Sequence, residues 1–251
     1  MRSVLPEEEG CESGNPANSC GRWSSTRESS RSSWFQQFLD FFLLPWRDSE
    51  AVEREENPVI IGGSPATISE APWLAFVEYT IAGKSSWCTG FIIDQRHALT
   101  AAHSNYQQGY DIAVIKLANP LNFTPSIQPI CIARSDNLNS ATACYAKMFG
   151  WGSTTTDGKT YPTNLKKVDA VVLPRDSCSA EYNRGIICAR GRTTGTGTCS
   201  GDSGGPLVVY VNGIAYAMGV DSYGGKPCLS LPSHYTRITS HVDFINSVVT
   251  T

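Results

Sequence analysis

The sequence predicts an all-β domain that begins near residue 60 and continues to the C-terminus. Beyond residue 58, short apolar runs alternate with clusters of Gly, Pro, Ser, Asn and Thr, which is the pattern of strands separated by turns. Apolar residues at helical spacing recur only near the end of the chain, and no internal repeat is visible. These observations favour a sandwich or barrels that end in one short helix.

Six runs are enriched in β-branched or aromatic residues and bounded by turn formers, so each predicts a strand. They are residues 73–79, 89–93, 112–117, 167–173, 206–210 and 214–220. The helical spacing of Ile238, Val242, Ile245 and Val249 predicts the closing helix.

Residues 1–59 are predicted to be a disordered pro-region and linker that precedes the domain of residues 60–251. Residues 1–33 are polar, with glutamates where a signal peptide would be basic and then apolar, so no signal peptide is recognised. The apolar run of residues 34–46 is too short to span a bilayer and contains Asp40. An amphipathic stretch of the pro-region is the favoured interpretation, an internal membrane anchor is the alternative, and membrane association is not expected.

Composition and charge restrict the class of protein. Hydrophobic residues make up 41% of the chain and charged residues 17%, as in soluble globular proteins. The net charge of -3 gives no basic surface for nucleic acid, so no nucleic-acid partner is expected. Nine cysteines at irregular spacings do not match zinc sites and favour disulfides, which predicts a secreted, extracellular protein. The odd count leaves at least one thiol unpaired or joined to another chain.

The most specific chemical signal is the string GDSGGP at residues 201–206. Glycines on both sides of Ser203 allow turns that push its hydroxyl outward, and they let backbone N–H groups converge beside it. The amides of Gly201 and Ser203 are therefore expected to form an oxyanion hole. A glycine-rich hairpin turn is the alternative for a shorter string.

Two further motifs precede the serine. Small residues before His103, in TAAHS at residues 100–104, allow the histidine to pack near a strand and face a cleft. Asp111 opens the apolar run DIAVIKL of residues 111–117, where a partly buried carboxylate needs a hydrogen-bond donor. Taken alone, the histidine would be a structural residue and the aspartate a strand cap.

In the order His, Asp, Ser, the three motifs resemble the triad motifs of the chymotrypsin family of serine proteases. The resemblance covers about residues 60–250 and implies two six-stranded antiparallel β-barrels with the catalytic cleft between them. It implies that Ser203 is the nucleophile, His103 the general base and then acid, and Asp111 the residue that orients the imidazole. No cofactor or metal is expected, because the protein supplies every reacting group.

The start of the domain resembles the N-terminus that zymogen cleavage releases in this family. The sequence IIGG follows Val59, and the new ammonium group of Ile60 would pair with Asp202. Activation by a trypsin-like enzyme is not expected, because the nearest basic residue, Arg54, lies too far upstream. The implied partners are protein or peptide substrates, an activating protease and proteinaceous inhibitors.

The resemblance also places the specificity pocket and two disulfides. Gly197, Gly224 and Ser233 fall at the pocket, and their small neutral character predicts a preference for apolar rather than basic substrate side chains. Asp221 could supply charge, but strand alternation is expected to point it away from the face of Ser222. Two cysteine pairs match family disulfides: Cys178 with Cys188 and Cys199 with Cys228.

The main departure from the family is the segment between the histidine and the aspartate. Only the seven residues 104–110 separate them, whereas the family has about forty-five positions there. A short loop can still bring its ends together. The missing stretch would supply about two strands, so the first barrel is expected to be incomplete, with unpaired edges. An incomplete gene product and a rebuilt first lobe both remain open.

The other cysteines have no unique pairing. Ser104 and Val209 stand where the family partners of Cys88 and Cys144 would be. Cys131 could pair with Cys144, or with Cys11 or Cys20, which would tether the pro-region after cleavage.

The sequence therefore predicts a secreted serine endopeptidase made as a zymogen. A catalytically impaired homologue that binds proteins through the same cleft is the first alternative. An esterase is the second, because residues 201–205 fit the loose G-x-S-x-G pattern. However, those enzymes have the order Ser–Asp–His, which this chain does not offer.

Overall fold

The computed structural model describes residues 60–81, 83–103, 106–134, 145–174, 178 and 185–250. The predicted pro-region of residues 1–59 lies outside them, and so do Cys11, Cys20 and Cys144. No helix among the described residues has the length and apolar character needed to cross a membrane.

The described residues form twelve strands and one α-helix, which confirms the predicted all-β class. The strands are β1 Ser64–Pro65, β2 Leu74–Ile81, β3 Lys84–Ile92, β4 His97–Thr100, β5 Ala113–Lys116, β6 Cys131–Ile132, β7 Tyr145–Gly150, β8 Lys166–Val172, β9 Ile186–Gly191, β10 Pro206–Val211, β11 Ile214–Tyr223 and β12 Ser233–Arg237. The helix α1 spans Val242–Val249 and follows a 3-10 turn at Ile238–His241.

All six predicted strands are present, but the six others among the described residues carried too weak a signal to be found; two of these, β1 and β6, have only two residues each. Strand β4 has only four residues, and all of them are buried. Strand β12 is buried along its whole length although it contains His234 and Arg237. Because its residues are mostly polar, β12 lacks the run of β-branched and aromatic residues from which a strand is predicted. Strands β7 and β9 likewise mix apolar with charged residues.

Six strands form a closed antiparallel barrel in the order β8, β7, β10, β11, β12, β9, with β9 pairing back to β8. Its interior is filled by side chains such as Met148, Ile187, Leu207, Met218 and Tyr235, each at most 1% exposed. Because the barrel is closed, each of its six strands is hydrogen-bonded to a neighbour on both sides, so this unit has no edge strand.

The other sheet has four antiparallel strands in the order β2, β3, β4, β5 and does not close. It is the incomplete first barrel that the sequence predicts. Its core is nevertheless covered: Phe91 and Leu99 are fully buried in one cluster with Val208 of the closed barrel and Ile245 of α1. The sheet therefore buries its apolar face against the neighbouring barrel and the helix, which replaces part of the cover that missing strands would give.

Two disulfides join described residues, at the pairings that the resemblance implied: Cys178–Cys188 and Cys199–Cys228. Cys131 is also disulfide-bonded. Cys88 is a free thiol, buried in β3 with 4% of its surface exposed.

Candidate active site

The hairpin of β4 and β5 sets the positions of His103 and Asp111. Thr100 at the end of β4 is paired with Ala113 at the start of β5, so the two ends of the connecting segment lie side by side. His103 follows β4 and Asp111 precedes β5, so both lie close to the paired strand ends. The antiparallel pairing therefore brings the two side chains together even though the segment between them is short.

Asp111 and His103 form an ion pair. The Asp111 Oδ2 atom lies 3.7 Å from Nδ1 of His103 and accepts a hydrogen bond of 2.6 Å from the Ser222 hydroxyl. Asp111 is completely buried, whereas 45% of the His103 side chain is exposed. Burial of Asp111 opposes its ionisation, but the contacts with His103 and Ser222 outweigh this effect and hold its pKa below the ordinary value.

The His103 ring also contacts the free thiol of β3. Its Nε2 atom lies 3.5 Å from Sγ of Cys88. The contact with Asp111, followed by that with Cys88, raises the pKa of His103 to about 10 although burial opposes the shift. The imidazole is therefore positively charged at neutral pH, whereas a general base must be uncharged.

Ser203 lies in the loop that precedes β10, against the middle of β3. Its carbonyl accepts a hydrogen bond of 2.9 Å from the amide of Thr89. In the part of the chain that the structure describes, no hydrogen bond joins the Ser203 hydroxyl to the His103 ring. The structure thus brings His103 and Asp111 together, and it leaves Ser203 outside hydrogen-bonding contact with this pair.

The next feature is the pair of amides predicted to form the oxyanion hole, those of Gly201 and Ser203. Neither the Gly201 nor the Ser203 amide donates a backbone hydrogen bond within the described residues. Gly201 has a φ of 95°, a conformation that favours glycine, and a Cβ atom there would lie 2.2 Å from the Trp87 ring. Both amides therefore lack a backbone acceptor within the described residues.

The Asp202 carboxylate lies in a cradle of backbone. Its two oxygens accept hydrogen bonds from the amides of Gly152 at 2.8 Å and Cys199 at 2.9 Å. A Cβ atom on Gly150 or Gly152 would lie within 2.2 Å of the carboxylate, so only glycine allows this approach. Burial, with repulsion from Asp221, raises the pKa of Asp202 to about 8.

Ile60 is fully buried at the start of the domain. The next residue, Ile61, pairs with Gly197, whose amide donates to the Ile61 carbonyl at 3.2 Å. The φ of Ile60 is 33°, in the left-handed region that a β-branched residue rarely adopts. No cation pairs with Asp202 among the described residues.

Two of the three predicted pocket residues, Gly197 and Ser233, line one cavity, and Gly224 is not among the residues that line it. The hydroxyls of Thr198 and Ser233 are 2.6 Å apart, and Thr198 follows Gly197. A Cβ atom built on Gly197 would lie 2.8 Å from Leu229, whereas one on Gly224 would meet no atom within 4 Å. Leu229 thus crowds the space beside Gly197, whereas the space beside Gly224 is open.

The alternation expected for Asp221 is present in β11. Asp221 and Ser222 do point to opposite faces of β11, since Ser222 reaches Asp111 while the Asp221 carboxyl faces the hydroxyls of Thr198 and Tyr235. Alternation along the strand fixes only the relative directions of neighbours, and the packing of β12 decides what each face contacts.

Comparisons with known proteins agree with this architecture. The family model described as Trypsin matches residues 60–107 and 103–245, two segments that overlap over residues 103–107. Venom serine protease Bi-VSP of Bombus ignitus is 30% identical over 240 residues, which cover 73% of this chain and 66% of that protein. CLIP domain-containing serine protease B4 of Anopheles gambiae is 30% identical over 253 residues, covering 74% and 69%.

The chain thus spans about two thirds of the length of these relatives. A solved structure described as "Structure of GrC" superposes with a TM-score of 0.67 at 26% identity, over 76% of this chain and all of that one.

Proposed function

Because the chain belongs to the trypsin family of serine proteases, we propose that it is a secreted serine endopeptidase that acts through Ser203, His103 and Asp111. Family membership rests on a match that covers residues 60–245. The triad, its activation and its substrate preference are proposed from the geometry described above.

In the proposed reaction, Ser203 Oγ attacks the carbonyl carbon of the scissile peptide bond while His103 Nε2 takes the hydroxyl proton. The amides of Gly201 and Ser203 stabilise the negative oxygen that forms. His103 then gives its proton to the leaving amine, which leaves an acyl-enzyme. A water molecule, deprotonated by the same imidazole, releases the acid and restores Ser203.

The observation that carries the proposal is the pairing of His103 with a buried, anchored Asp111 across the shortened segment. Three separate parts of the chain meet there, because Ser222 of β11 donates to the carboxylate that faces His103. A buried carboxylate fixed in this way orients an imidazole and stabilises its charged form.

Catalysis requires the His103 ring to exchange its contact with Cys88 for one with Ser203. Because 45% of the His103 side chain is exposed, the ring can rotate without displacing the core. Loss of the thiol contact also removes one of the interactions that raise the pKa of His103. The rotated ring is therefore free of the thiol and more readily uncharged.

We propose that cleavage of the bond before Ile60 activates the chain. The angle φ of Ile60 depends on the preceding carbonyl carbon, so cleavage abolishes the constraint that holds it at 33°. Strained residues of this kind cost about 1–3 kcal/mol. The freed ammonium is the cation that Asp202 lacks, and the pair would favour the ionised carboxylate that burial disfavours.

The substrate residue on the amino side of the cleaved bond, termed P1, is proposed to be apolar. Gly197 at the base of the pocket carries no charge, and Leu229 crowds it. This leaves no ionic partner at the base for a long cation. The two disulfides and the named relatives support secretion.

The proposal is tested by labelling with a fluorophosphonate, which reacts with an activated serine. In the full chain, residues 55–59 are replaced by an enteropeptidase recognition sequence, so that cleavage leaves Ile60 as a new N-terminus; this product is called the activated chain. We expect labelling of Ser203 in the activated chain and its loss in Ser203→Ala and His103→Ala. Asp169→Asn, on the exposed surface, is the matched control and should label normally.

A protein-binding homologue without catalysis is the second candidate. It is favoured by the contact of His103 with Cys88 and by the missing hydrogen bond to Ser203. Absence of labelling in an activated chain that is folded, as judged by circular dichroism, would support this candidate and contradict the endopeptidase.

A further inference from the structure

A cavity of about 220 Å³ lies between two segments of the closed barrel. One segment, residues 190–197, forms the end of β9 and the loop after it, and the other, residues 229–233, leads into β12. Ser203 and Gly201 are not among the described residues that line this cavity, so it does not include the site of bond cleavage. Pockets for drug-sized ligands measure about 300 Å³ or more, so this cavity suits a smaller ligand.

The lining of this cavity offers many hydrogen-bond donors and one cation. Arg190 is exposed to solvent and is the single charged residue among the described residues of the lining. No ion pair joins it to an Asp or Glu within the part of the chain that the structure describes. Hydroxyl groups surround the cavity on Thr193, Thr194, Thr196, Ser230 and Ser233. A guanidinium beside hydroxyls, with no carboxylate in the lining, is suited to an anion that has several acceptor oxygens.

The first segment is already folded into a turn that presents donors. The amide and the hydroxyl of Thr196 both donate to the Thr193 carbonyl, at 3.3 and 2.7 Å. A Cβ atom on Gly191 would lie 1.8 Å from the Thr196 hydroxyl oxygen, so glycine is required for this close approach. The amides of Thr193, Thr194 and Gly195 donate no backbone hydrogen bond among the described residues. These amides can therefore donate to a ligand without a change of fold.

The second segment closes the cavity on its apolar side. Leu229 has a φ of 71°, in the left-handed region that leucine rarely adopts. Its side chain packs so closely on Gly197 that a Cβ atom there would lie 2.8 Å from it. A strained residue in the wall of a cavity is typical of ligand sites, where the conformation is kept for the shape that it gives.

The cavity wall also contacts the start of the domain. The Gly197 amide donates to the Ile61 carbonyl at 3.2 Å. A Cβ atom on Gly62 would lie 2.7 Å from the Thr196 methyl group, so the two backbones approach closely at this point. A ligand that holds residues 190–197 in place therefore also stabilises the position of Ile61 and Gly62, which follow the proposed cleavage point.

We propose that this cavity binds a small oxyanion with the chemistry of sulfate or phosphate, through Arg190 and the surrounding hydroxyls and amides. The bound anion is an effector that stabilises the activated arrangement of residues 60–62. The effector role rests on the proposed function, whereas binding does not. A free ion and a sulfate group on a larger molecule offer the same chemistry, and the small volume of the cavity favours the free ion.

Binding is tested by isothermal titration calorimetry of the activated chain with Ser203→Ala, at constant ionic strength set with sodium chloride. We expect sulfate to bind and Arg190→Gln to lower its affinity at least about tenfold, because a charge-assisted hydrogen bond is lost. Arg192→Gln is the matched control. It removes the same charge from the same segment, but Arg192 does not line the cavity, so sulfate should bind as in the parent. Equal affinities for the parent and Arg190→Gln, or equal losses in both variants, overturn the inference.

A second titration distinguishes the sources of the anion. Phosphate and a sulfated disaccharide replace sulfate in separate experiments. We expect the free ions to bind at least as tightly as the disaccharide. Tighter binding of the disaccharide that depends on Arg190 would show that the group is carried by a larger molecule and contradict the free ion.

The effector role is tested by the rate of fluorophosphonate labelling of the activated chain with Ser203 intact. We expect sulfate to raise this rate at least about threefold over chloride at equal ionic strength in the parent and in Arg192→Gln, and to leave it unchanged in Arg190→Gln. Hydrogen exchange of the Gly197 amide, which donates to Ile61, should slow in sulfate. Sulfate binding without either effect contradicts the effector role. If Ser203 is never labelled but binding depends on Arg190, the proposed function fails and the anion site stands.

Discussion

The Sγ atom of Cys88 lies 3.5 Å from Nε2 of His103, the nitrogen that would take the proton of Ser203. In the resembling family the partner of this cysteine follows the histidine, where this chain has Ser104. The unpaired thiol therefore occupies the side of the imidazole that the reaction needs. The serine at position 104 therefore accounts both for the free thiol of Cys88 and for the missing hydrogen bond between His103 and Ser203.

Replacing Cys88 with alanine should increase activity. The smaller side chain removes the partner of Nε2, so the ring is free to turn toward Ser203, and the pKa of His103 should fall because one of its causes is gone. We expect a several-fold rise in kcat/KM of the activated chain near pH 7.5. A folded Cys88→Ala protein with lower activity than the parent would show that the thiol supports the site.

The pH profile should reflect the charged resting state of His103. Its pKa is raised to about 10, so the uncharged base becomes more abundant as pH rises toward that value. We expect kcat/KM on a peptide substrate with an apolar P1 residue to be still increasing above pH 8, and we expect Cys88→Ala to reach its plateau at lower pH. A plateau already reached near the ordinary histidine pKa of about 6.5 would contradict the resting geometry.

The raised pKa of His103 should also affect the stability of the fold. A histidine whose pKa is higher in the folded than in the unfolded chain stabilises the fold fully below about pH 6.5 and loses this effect as pH rises through about 10. The melting temperature should therefore decline over this range more in the parent than in His103→Ala. Because the ring is half exposed, we expect a small difference.

The position of the new N-terminus should decide activation. Cleavage directly before Ile60 places an ammonium next to a fully buried residue, whereas cleavage after Arg54 leaves the additional residues 55–59. We expect full fluorophosphonate labelling for the first product and at most a few per cent for the second. The comparison uses recognition sequences at residues 55–59 and at residues 50–54, and equal labelling would exclude Asp202 as the partner of the new terminus.

Gly152→Ala should disrupt the cradle of Asp202. The added Cβ would lie 2.2 Å from the carboxyl carbon, so the carboxylate must move and lose its amide donors. We expect a loss of about 1–3 kcal/mol in the free energy of unfolding, measured by urea denaturation. Gly83→Ala is the control, because a Cβ there meets nothing and only the cost of its φ of 78° remains.

Much of the fold could be predicted because strand signals are local. The runs around residues 74–81 and 206–211 combine β-branched residues with flanking turns, and both are strands. Strand β12 could not be found, because its His234, Thr236 and Arg237 are buried by the closed barrel rather than by any apolar pattern of their own. The cover of the open sheet by α1 was equally invisible, since it depends on contacts between segments far apart in the chain.

The sequence by itself determined which side chains are the candidates for the reaction and the order in which they occur. His103, Asp111 and Ser203 are recognisable from a few neighbours each, because the motifs depend on turn-forming and small residues beside them. The tertiary structure alone decided that the His103 ring contacts Cys88 instead of Ser203 and that the Asp221 carboxyl faces Thr198 and Tyr235. Strand periodicity gives the relative directions of neighbouring side chains, whereas the group that each one meets depends on how distant strands pack against it.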